Sequence, residues 1–273
     1  DLSSLKVLGS VGEPINEEAW NWYNDNIGNN KCPIVDTWWQ TETGGIMLSS
    51  LAGVTNQKPT FATKPMIGIQ PTILDSEGNE LLGFDKEGVL AIKFPWPSIA
   101  RTIYGDHDRY KNVYFSAYPG YYFPGDGALI DSEGNFRITG RVDDVVIVSG
   151  HNLGTAPIED AINSHPVVAE SAVIGYPHDI KGNALRAFVI INTETQTDHL
   201  VNEIKNLVSK TIGPIAKPDI IQIVPGLPKT RSGKIMRRIL RKIASNEIDN
   251  IGDVSTLLNP EVVDQIIKGS KKL

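Results

Sequence analysis

The sequence predicts an α/β chain of two parts, and three observations lead to this prediction. Its 273 residues are 40% hydrophobic and 21% charged, which is typical of a globular protein with a buried core. Up to residue 140, short apolar runs alternate with turn residues such as Gly, Pro, Asn and Asp. Beyond Arg141, apolar runs of strand length alternate with stretches of helical periodicity, which predicts a small α+β unit of about a hundred residues.

In the first part, two apolar runs at residues 5–10 and 33–38 predict short buried strands. Asn16, followed by two glutamates, predicts the start of a helix between them. The turn sequence Asp-Ser-Glu-Gly-Asn occurs at residues 75–79 and again at 131–135, with strand-like residues on both sides. Each copy therefore predicts a hairpin.

The second part shows a regular alternation of predicted elements. Strands are expected at residues 145–148, 172–176, 187–191 and 220–224, and helices at residues 155–163, 200–212 and 235–243. In the middle helix, the apolar residues that share one face are Leu200, Ile204, Leu207, Val208 and Ile212. The polar run at residues 140–144 is the predicted joint between the parts. Residues after Ser245 have weak periodicity and are expected to form an appended tail.

Composition argues against several classes of function. Lys and Arg number 26 against 32 Asp and Glu, and the net charge of −6 argues against nucleic acid or an anionic membrane as the general partner. Cys32 is the single cysteine, so it forms no internal disulfide. No apolar run approaches the ~18 residues of a membrane span and no signal pattern opens the chain, so we expect a cytoplasmic protein. Since the chain starts at Asp1 inside a patterned segment, we also expect a fragment of a longer protein.

The most unusual stretch follows the second predicted strand and contains two adjacent tryptophans. Trp38 and Trp39 point to opposite sides of a strand, so that one is suited to wall a pocket while the other packs in the core. The amide of Gln40 and the hydroxyls after it are suited to donate to phosphate oxygens, and the glycines at positions 44 and 45 allow close backbone approach. The alternative is a core tryptophan pair followed by a polar loop.

Two further motifs carry charges in glycine-containing segments. Asp126 stands between glycines, where a carboxylate is suited to accept ribose hydroxyls or simply closes a turn. The run at residues 228–234 ends in Gly-Lys but has Pro228 where a phosphate loop needs glycine and Ile235 where it needs Ser or Thr. It opens a segment of seven basic and no acidic residues, which is suited to anions. Its alternatives are a solvated helix face or a nucleic-acid contact, and the segment lacks the aromatic residues that the latter uses.

Six motifs, taken in order, resemble the AMP-forming acetyl-coenzyme A synthetases of the adenylate-forming superfamily. They are Gly12-Glu13-Pro14, Asp-Thr-Trp-Trp-Gln-Thr-Glu-Thr at 36–43, Tyr-Phe-Pro-Gly-Asp at 122–126, Gly-Arg-Val-Asp-Asp at 140–144, Ser-Gly-His at 149–151 and Pro-Lys-Thr-Arg-Ser-Gly-Lys at 228–234. The resemblance covers the whole chain, which corresponds to the carboxy-terminal portion of the family, less than half of it. It implies that residues 1–142 are the end of a large mixed α/β adenylating domain and that residues 143–273 form a small mobile α+β lid domain with a tail.

The resemblance implies a ligase that works in two steps. Acetate attacks the α-phosphorus of Mg-ATP to give acetyl-adenylate and pyrophosphate, and the coenzyme A thiol then displaces AMP. Because the family's upstream phosphate loop is absent from this chain, the isolated fragment is expected to be inactive. The alternatives are a ligase for propionate or another short-chain acid, a catalytically impaired nucleotide-binding homologue and, more remotely, a nucleic-acid-binding module.

The resemblance also implies roles for individual residues. Lys234 is the implied catalytic cation between the carboxylate and the α-phosphate, and Asp143 the implied hinge. The residues implied to bind ATP or AMP are Gly12, Glu13, Pro14, Asp36, Thr37, Trp38, Trp39, Gln40, Thr41, Asp126, Arg141 and Asn152, with Asp126 and Arg141 on the ribose. The other implied sites are an acyl pocket at Val11 and Trp39, a coenzyme A surface at Ser149, Gly150 and Ser209, and a peripheral magnesium site on backbone carbonyls of Asn163, His165 and Val168.

Two positions depart from the family pattern, and one carries an implied regulation. Asn152 and Ser209 stand where family members carry arginine, which puts the affinity for ATP phosphates and for coenzyme A in question. The family is regulated by acetylation of the lysine that matches Lys234. The implied partners are therefore small-molecule substrates and a protein acetyltransferase and deacetylase, with neither nucleic acid nor membrane.

Overall fold

The computed structural model of the chain describes residues 1–192 and 197–271, apart from the side chains of Asn152, Thr197 and Asp198. The chain is a mixed α/β protein and divides into two compact units, the first from Asp1 to Val142 and the second from Asp143 onward. The division falls within the predicted joint. That these units are the domains of a larger enzyme, with a hinge at Asp143, stays a prediction.

The first unit contains two sheets and two helices among its described elements. Its strands are β1 (Leu8–Ser10), β2 (Ile34–Trp38), β3 (Leu48–Ser49), β4 (Pro71–Leu74), β5 (Lys86–Ile92), β6 (Asp126–Ile130) and β7 (Phe136–Arg141), and its helices are α1 (Glu17–Asn26) and α2 (His107–Phe115). The first sheet has the order β1-β2-β3, with β1 and β2 parallel. The second sheet is antiparallel in the order β4-β5-β6-β7. Their apolar sides share a core that includes Trp38, Leu48, Leu90 and Phe136.

Local signals in the first unit are largely confirmed. The Asn16 side chain accepts a hydrogen bond from the Ala19 backbone N–H at 2.7 Å and so caps α1, as predicted. In both repeated turns the backbone bonds expected of a hairpin form, at 2.9 Å for residues 75 and 79 and at 3.0 Å for residues 131 and 135. The first predicted strand is too long, because the side chains of Leu5 and Val7 are exposed and pairing begins only at Leu8.

The second unit is built on one five-stranded sheet. Its strands are β8 (Val146–Val148), β9 (His151–Leu153), β10 (Val168–His178), β11 (Gly182–Ile191) and β12 (Ile220–Ile223), and its helices are α3 (Thr155–Asn163), α4 (Thr197–Thr211), α5 (Arg237–Ala244) and α6 (Glu261–Ser270). β11 pairs antiparallel with β10 and β8 and parallel with β12. One core cluster includes residues of α3 and α4, and another includes residues of α5 and α6.

The predicted elements of the second unit all occur; α3 has the predicted bounds, and those of the other elements are shifted. β10 and β11 are longer than predicted because they form one continuous ladder through Gly175 and Pro177. In α4 the side chains of Leu200, Ile204 and Val208 are buried, whereas those of Leu207 and Ile212 lie off the core. None of the described helices has the length and apolarity needed to cross a membrane.

The expectation of an appended tail after Ser245 is wrong. Residues 246–270 contribute Ile251, Leu257, Val262, Val263 and Ile266 to a core cluster of the second unit. Three of these residues lie on α6, but the other two lie in irregular backbone. The three residues on α6 are spaced as in a helix, but the two in irregular backbone follow no period. Periodicity alone therefore does not reveal that the whole segment is part of the core.

Candidate functional site

The parallel pair β1 and β2 defines one edge of the first unit. Ser10 lies opposite Asp36, so the two strands end next to each other. The predicted residues that follow β1 are Val11, Gly12, Glu13 and Pro14, and those that follow β2 are Trp39, Gln40 and Thr41. Because ligands of open α/β sheets bind outside the carboxyl ends of parallel strands, this edge is the candidate binding site.

The two tryptophans at this edge occupy different environments. Trp38, the last residue of β2, is 9% exposed and its indole N–H donates to Asp126 Oδ2 at 3.1 Å. Trp39 is 46% exposed and Val11 is 59% exposed. Trp38 therefore ties the first sheet to the second, while Trp39 and Val11 remain accessible. Their role as walls of an acyl pocket stays a prediction.

Asp126 is the centre of a hydrogen-bond network within the first unit. Its carboxylate is 6% exposed and accepts from Trp38, from Gln40 Nε2 at 3.1 Å and from Arg141 Nη1 at 3.3 Å. Gln40 Nε2 and Arg141 Nη1 also donate to the Pro124 carbonyl, both at 2.8 Å. Three of the predicted nucleotide-binding side chains thus hold one carboxylate in a fixed orientation.

A row of aromatic hydroxyls supports this network, and sequence reasoning assigned it no role. The Tyr122 hydroxyl donates to Gln40 Oε1 at 2.9 Å, which orients the amide so that its NH₂ group faces Asp126. Tyr114 stacks on Tyr122 with ring centroids 5.4 Å apart and donates to Glu42 Oε1. Burial raises the pKa of Tyr122, and burial together with Glu42 raises the pKa of Tyr114 to about 12, so both hydroxyls stay protonated donors. The available signal was the position of Tyr122 in the motif that ends at Asp126.

Two glycines near the network have backbone constraints. Gly125 has a φ of +79°, and a Cβ there would lie 2.5 Å from Arg141 Nη2. Gly44 has a φ of +65°, and its Cβ would lie 2.2 Å from the Ser98 carbonyl oxygen. Side chains at these positions would displace Arg141 or the loop that covers Thr43.

Asp36 lies inside the edge rather than on its surface. The carboxyl is 7% exposed, and burial raises its pKa to about 7, partly offset by hydrogen bonds to Ser10 and to the Thr37 backbone. The Thr37 hydroxyl in turn donates to the Ser10 carbonyl at 3.3 Å. These two predicted residues therefore join β2 to β1, and no described contact places the Asp36 carboxyl at the surface of the site.

In the second unit, Lys234 lies at the end of a tight backbone turn. The Thr230 N–H donates to the Lys234 carbonyl at 2.8 Å, and the Lys234 N–H donates to the Thr230 hydroxyl at 3.1 Å. Gly233, with a φ of +87°, closes the turn. Lys229 and Ile235 form a bridge below it, and we call residues 229–235 the lysine hairpin. The Lys234 side chain is exposed and has no hydrogen-bond or ion-pair partner among the described residues.

Most of the other basic side chains of this segment make internal contacts. Arg237 pairs with the buried carboxylate of Glu159 at 2.8 Å, and Lys229 pairs with Glu170 at 2.7 Å. Further along, Arg241 pairs with an acidic side chain, while Arg238 and Lys242 donate to backbone carbonyls. Within residues 229–242 of the described chain, only Arg231 and Lys234 lack such a contact. A continuous basic surface for nucleic acid is therefore not favoured.

The predicted hinge region begins the second unit. Asp143 is exposed, and its carbonyl accepts from Arg241 Nη1 at 3.0 Å, while the same guanidinium nitrogen pairs with Asp144 at 2.6 Å. Ser149 and Gly150 form the exposed two-residue turn between β8 and β9, both with positive φ. The backbone of Asn152 pairs with Ile147, and its side chain lies outside the described residues.

The remaining predicted residues lie elsewhere in the second unit. Ser209 is half-buried near the carboxyl end of α4. Asn163, His165 and Val168 lie along the connection from α3 to β10, where the His165 carbonyl accepts from the Val168 N–H at 2.9 Å. Backbone carbonyls are suitable ligands for magnesium, so the donor type fits. Across residues 1–192 and 197–271, no cluster of three or more His, Cys, Asp or Glu side chains is arranged to hold a metal ion.

Comparison with known families decides the affiliation. Residues 1–104 match the model of the AMP-binding enzyme family, and residues 157–234 match the model of the AMP-binding enzyme C-terminal domain. The chain belongs to the AMP-binding enzyme family. The second match ends at Lys234, and the first contains both edge segments, whereas Asp126, Arg141 and the predicted site residues between 143 and 152 lie between the two matches.

Curated relatives of this AMP-binding enzyme chain are named acetyl-coenzyme A synthetase. It is 61% identical over 267 residues to the protein of Pseudoalteromonas translucida and 60% identical over 266 residues to that of Syntrophobacter fumaroxidans, in each case over 97% of this chain. It is also 58% identical to the protein of Leptospira biflexa over 99% of this chain. The chain spans 41% to 42% of the length of these relatives.

Solved structures of adenylate-forming enzymes have the same fold. An anthranilate CoA ligase in complex with anthranoyl-AMP matches with a TM-score of 0.80 and 26% identity, over 91% of this chain and 46% of that chain. An ATP-bound chimeric protein matches with a TM-score of 0.78 and 24% identity, over 90% of this chain and 46% of that chain.

Proposed function

We propose that the protein to which this chain belongs is an AMP-forming acetyl-coenzyme A synthetase. An acetate oxygen attacks the α-phosphorus of Mg-ATP and releases pyrophosphate, and the thiol of coenzyme A then attacks the acyl carbon and releases AMP. The observation that carries the proposal is the network around Asp126, which fixes a buried carboxylate beside the carboxyl edge of β1 and β2. Such a carboxylate is the acceptor that ribose hydroxyls require. The choice of acetate as the acid is supported by relatives near 60% identity that are named acetyl-coenzyme A synthetase.

The edge residues take the nucleotide and the acid in this proposal. Gly12, Glu13 and Pro14 line the adenine side, and Gln40 and Thr41 extend the edge toward the phosphates. Trp38 and Gln40 fix Asp126 for the ribose together with Arg141, while Trp39 closes the acyl pocket with Val11. The exposure of Trp39 and Val11 at this edge supports the last assignment.

Lys234 supplies the charge for the first step. Its ammonium neutralises the acetate and α-phosphate oxygens as they approach, since phosphoryl transfer depends on positioning and electrostatic stabilisation. An exposed ammonium group without an internal partner among the described residues is available for this role. Acetylation by a protein acetyltransferase removes the charge and a deacetylase restores it.

The other proposed roles serve the second step. Asp143 is the hinge at which the second unit turns between the two reactions. The exposed turn of Ser149 and Gly150 meets coenzyme A, and Ser209 on α4 has the same proposed binding role. Magnesium enters with ATP, and the carbonyls of the α3–β10 connection hold a peripheral ion. The proposed compartment is the cytoplasm.

The test separates the two half-reactions in a chimera. In this chimera the present chain replaces the corresponding portion of the Pseudoalteromonas translucida relative. Lys234→Ala should lower acetate-dependent ATP–pyrophosphate exchange about 10²–10³-fold, the usual loss when a charge-stabilising group at a reacting centre is removed. Conversion of supplied acetyl-adenylate to acetyl-coenzyme A should stay at the parent rate.

Arg231→Ala is the matched control, because Arg231 is the other exposed cation of the lysine hairpin without an internal partner among the described residues. It should leave both rates near those of the parent. Equal losses in both half-reactions, or equal losses for both variants, would contradict the role of Lys234. The same exchange assay with propionate determines which acid is preferred.

A further inference from the structure

We propose that Asn259 is a positioning residue for the lysine hairpin and thereby for the adenylation step. This inference rests on the proposed role of Lys234. Asn259 lies outside both family-model matches, in the segment whose weak periodicity predicts a tail. Its amide side chain is the clamp at the base of the hairpin.

The clamp consists of two side-chain hydrogen bonds to one strand of the hairpin stem. Asn259 Nδ2 donates to the Leu227 carbonyl at 2.9 Å, and Asn259 Oδ1 accepts from the Lys229 N–H at 3.2 Å. The amide thus bridges backbone groups two residues apart, on the chain that leads into the turn. An amide can do this because it has a donor and an acceptor on one plane.

Backbone pairing continues the clamp toward the turn. The Leu258 N–H donates to the Lys229 carbonyl at 2.8 Å, and Leu257 forms a bridge with Thr230. Thr230 is the residue that bonds to both the N–H and the carbonyl of Lys234. A continuous path of hydrogen bonds therefore runs from Asn259 to the backbone of Lys234.

The clamp is itself anchored in the core of the second unit. The Leu257 side chain is buried, and the Asn259 carbonyl accepts from the Val262 N–H at 3.2 Å at the start of α6. Val262 and Ile266 of that helix are buried in the core cluster. The start of α6 therefore holds the hairpin in a fixed position relative to the core, while the Lys234 side chain remains free to meet a ligand.

The clamp affects the reaction because it sets the position of the Lys234 ammonium relative to the reacting atoms. A displacement of about 1 Å at a reacting centre can cost about 10²-fold in rate, and a lysine side chain with four flexible carbons depends on its backbone for placement. Loss of the clamp should misplace the ammonium without altering the nucleotide site of the first unit. The predicted signature is a fall in kcat for adenylation with little change in KM for ATP.

The experiment compares three variants in the chimera. Asn259→Ala should lower kcat for acetate-dependent pyrophosphate exchange about 10–100-fold, leave KM for ATP within about twofold, and leave thiolation of supplied acetyl-adenylate unchanged. Asn259→Asp keeps the acceptor for Lys229 but places a carboxylate oxygen against the Leu227 carbonyl oxygen, so a loss at least as large as that of Asn259→Ala is expected. Ile266→Val is the matched control, since it loosens the same core without touching the clamp.

Hydrogen exchange of the present chain supplies a second measurement. The amides of Gly233 and Lys234 should exchange faster in Asn259→Ala than in the parent, and Ile266→Val should not reproduce this local effect. Any of three results would overturn the inference. They are equal losses in both half-reactions, a loss for Ile266→Val as large as that for Asn259→Ala, and exchange rates of Gly233 and Lys234 that do not change in Asn259→Ala. Lys234→Ala tests the role of Lys234 itself: if that variant keeps the parent adenylation rate, the proposed role of Lys234 is wrong. The Asn259 variants test only whether the clamp positions the hairpin, so the two failures are distinguishable.

Discussion

The two candidate regions hold their principal charges in opposite ways. In the first unit, the Asp126 carboxylate is buried and accepts hydrogen bonds from Trp38, Gln40 and Arg141. In the second unit, the Lys234 ammonium is exposed and has no partner among the described residues, although its backbone is firmly bonded. One region fixes the charged group itself, and the other fixes only the backbone that carries it.

The difference corresponds to the chemistry proposed for each group. A group that recognises neutral hydroxyls in the ground state gains from a rigid, preorganised orientation. A cation that stabilises charge in the transition state acts only when the substrate is present, so an internal ion pair would compete with its task. The comparison predicts that changes around Asp126 cost folding stability, whereas changes at Lys234 cost only rate.

Replacement of Asp126 should have the largest effect on stability. Asp126→Ala leaves the indole of Trp38, the amide of Gln40 and the guanidinium of Arg141 without their shared acceptor, and about 3–5 kcal/mol of unfolding free energy should be lost. All five tryptophans lie in the first unit, so urea unfolding followed by tryptophan fluorescence reports on this unit alone.

Lys234→Ala is the variant of the second unit with which the stability loss of Asp126→Ala is compared. It should change the unfolding free energy by less than ~0.5 kcal/mol, measured by circular dichroism because the second unit has no tryptophan. A loss below about 1 kcal/mol for Asp126→Ala would break the comparison, because the network would then not support the fold.

Asp36 should make the stability of the first unit depend on pH. Its pKa is raised to about 7 by burial, so the folded state keeps a proton that the unfolded chain releases near its ordinary pKa of 3.8. Stability should therefore fall as pH rises from about 4 through about 7. At ~1.4 kcal/mol per pKa unit, the total loss is on the order of 4 kcal/mol.

The amide variant isolates this contribution. Asp36→Asn carries no charge at any pH, so fluorescence-detected unfolding between pH 5 and 8 should show a flatter profile than that of the parent. Identical slopes for parent and variant would show that the carboxyl is not the source of the pH dependence.

Within the Asp126 network, the smallest effect is expected for the hydroxyl that orients Gln40. Tyr122→Phe keeps the aromatic packing and removes the donor to Gln40 Oε1, so about 1 kcal/mol of stability should be lost. Tyr118→Phe is the control, because no hydrogen bond of the Tyr118 hydroxyl occurs within the described residues. If the two variants have equal unfolding free energies, Asp126 and Pro124 suffice to orient the amide.

Much of the fold follows from local patterns in the sequence. The bounds of α3 are those predicted, because polar residues flank a clear amphipathic run, and the Asn16 cap marks the start of α1. The full length of β10 was not predictable, since Gly175 and Pro177 normally end a strand and only pairing with β11 carries it through. The role of residues 246–270 in the core was missed for the same reason, as distant contacts rather than local periodicity place them.

The candidate site shows a similar division. Trp38 and Asp126 were both selected from their motifs, but the bond between them joins residues 88 positions apart and no spacing rule reveals it. Tyr122 and Glu42 were overlooked because a tyrosine beside a loop has many roles, and only its partner defines this one. The sequence supplied candidates, and the packing of the two sheets determined which of them touch.

The placement of α6 also has a consequence for biosynthesis. Ala172, Ile174 and Phe188 on the sheet and the apolar side of α5 are covered by residues 251–266, which the ribosome makes after every other part of that core cluster. Until then a nascent second unit exposes this apolar surface, the kind of surface that chaperones bind and that promotes aggregation. Completion of this core cluster is thus delayed until residues 251–266 have been translated, and Asn259 in the same segment closes the base of the lysine hairpin.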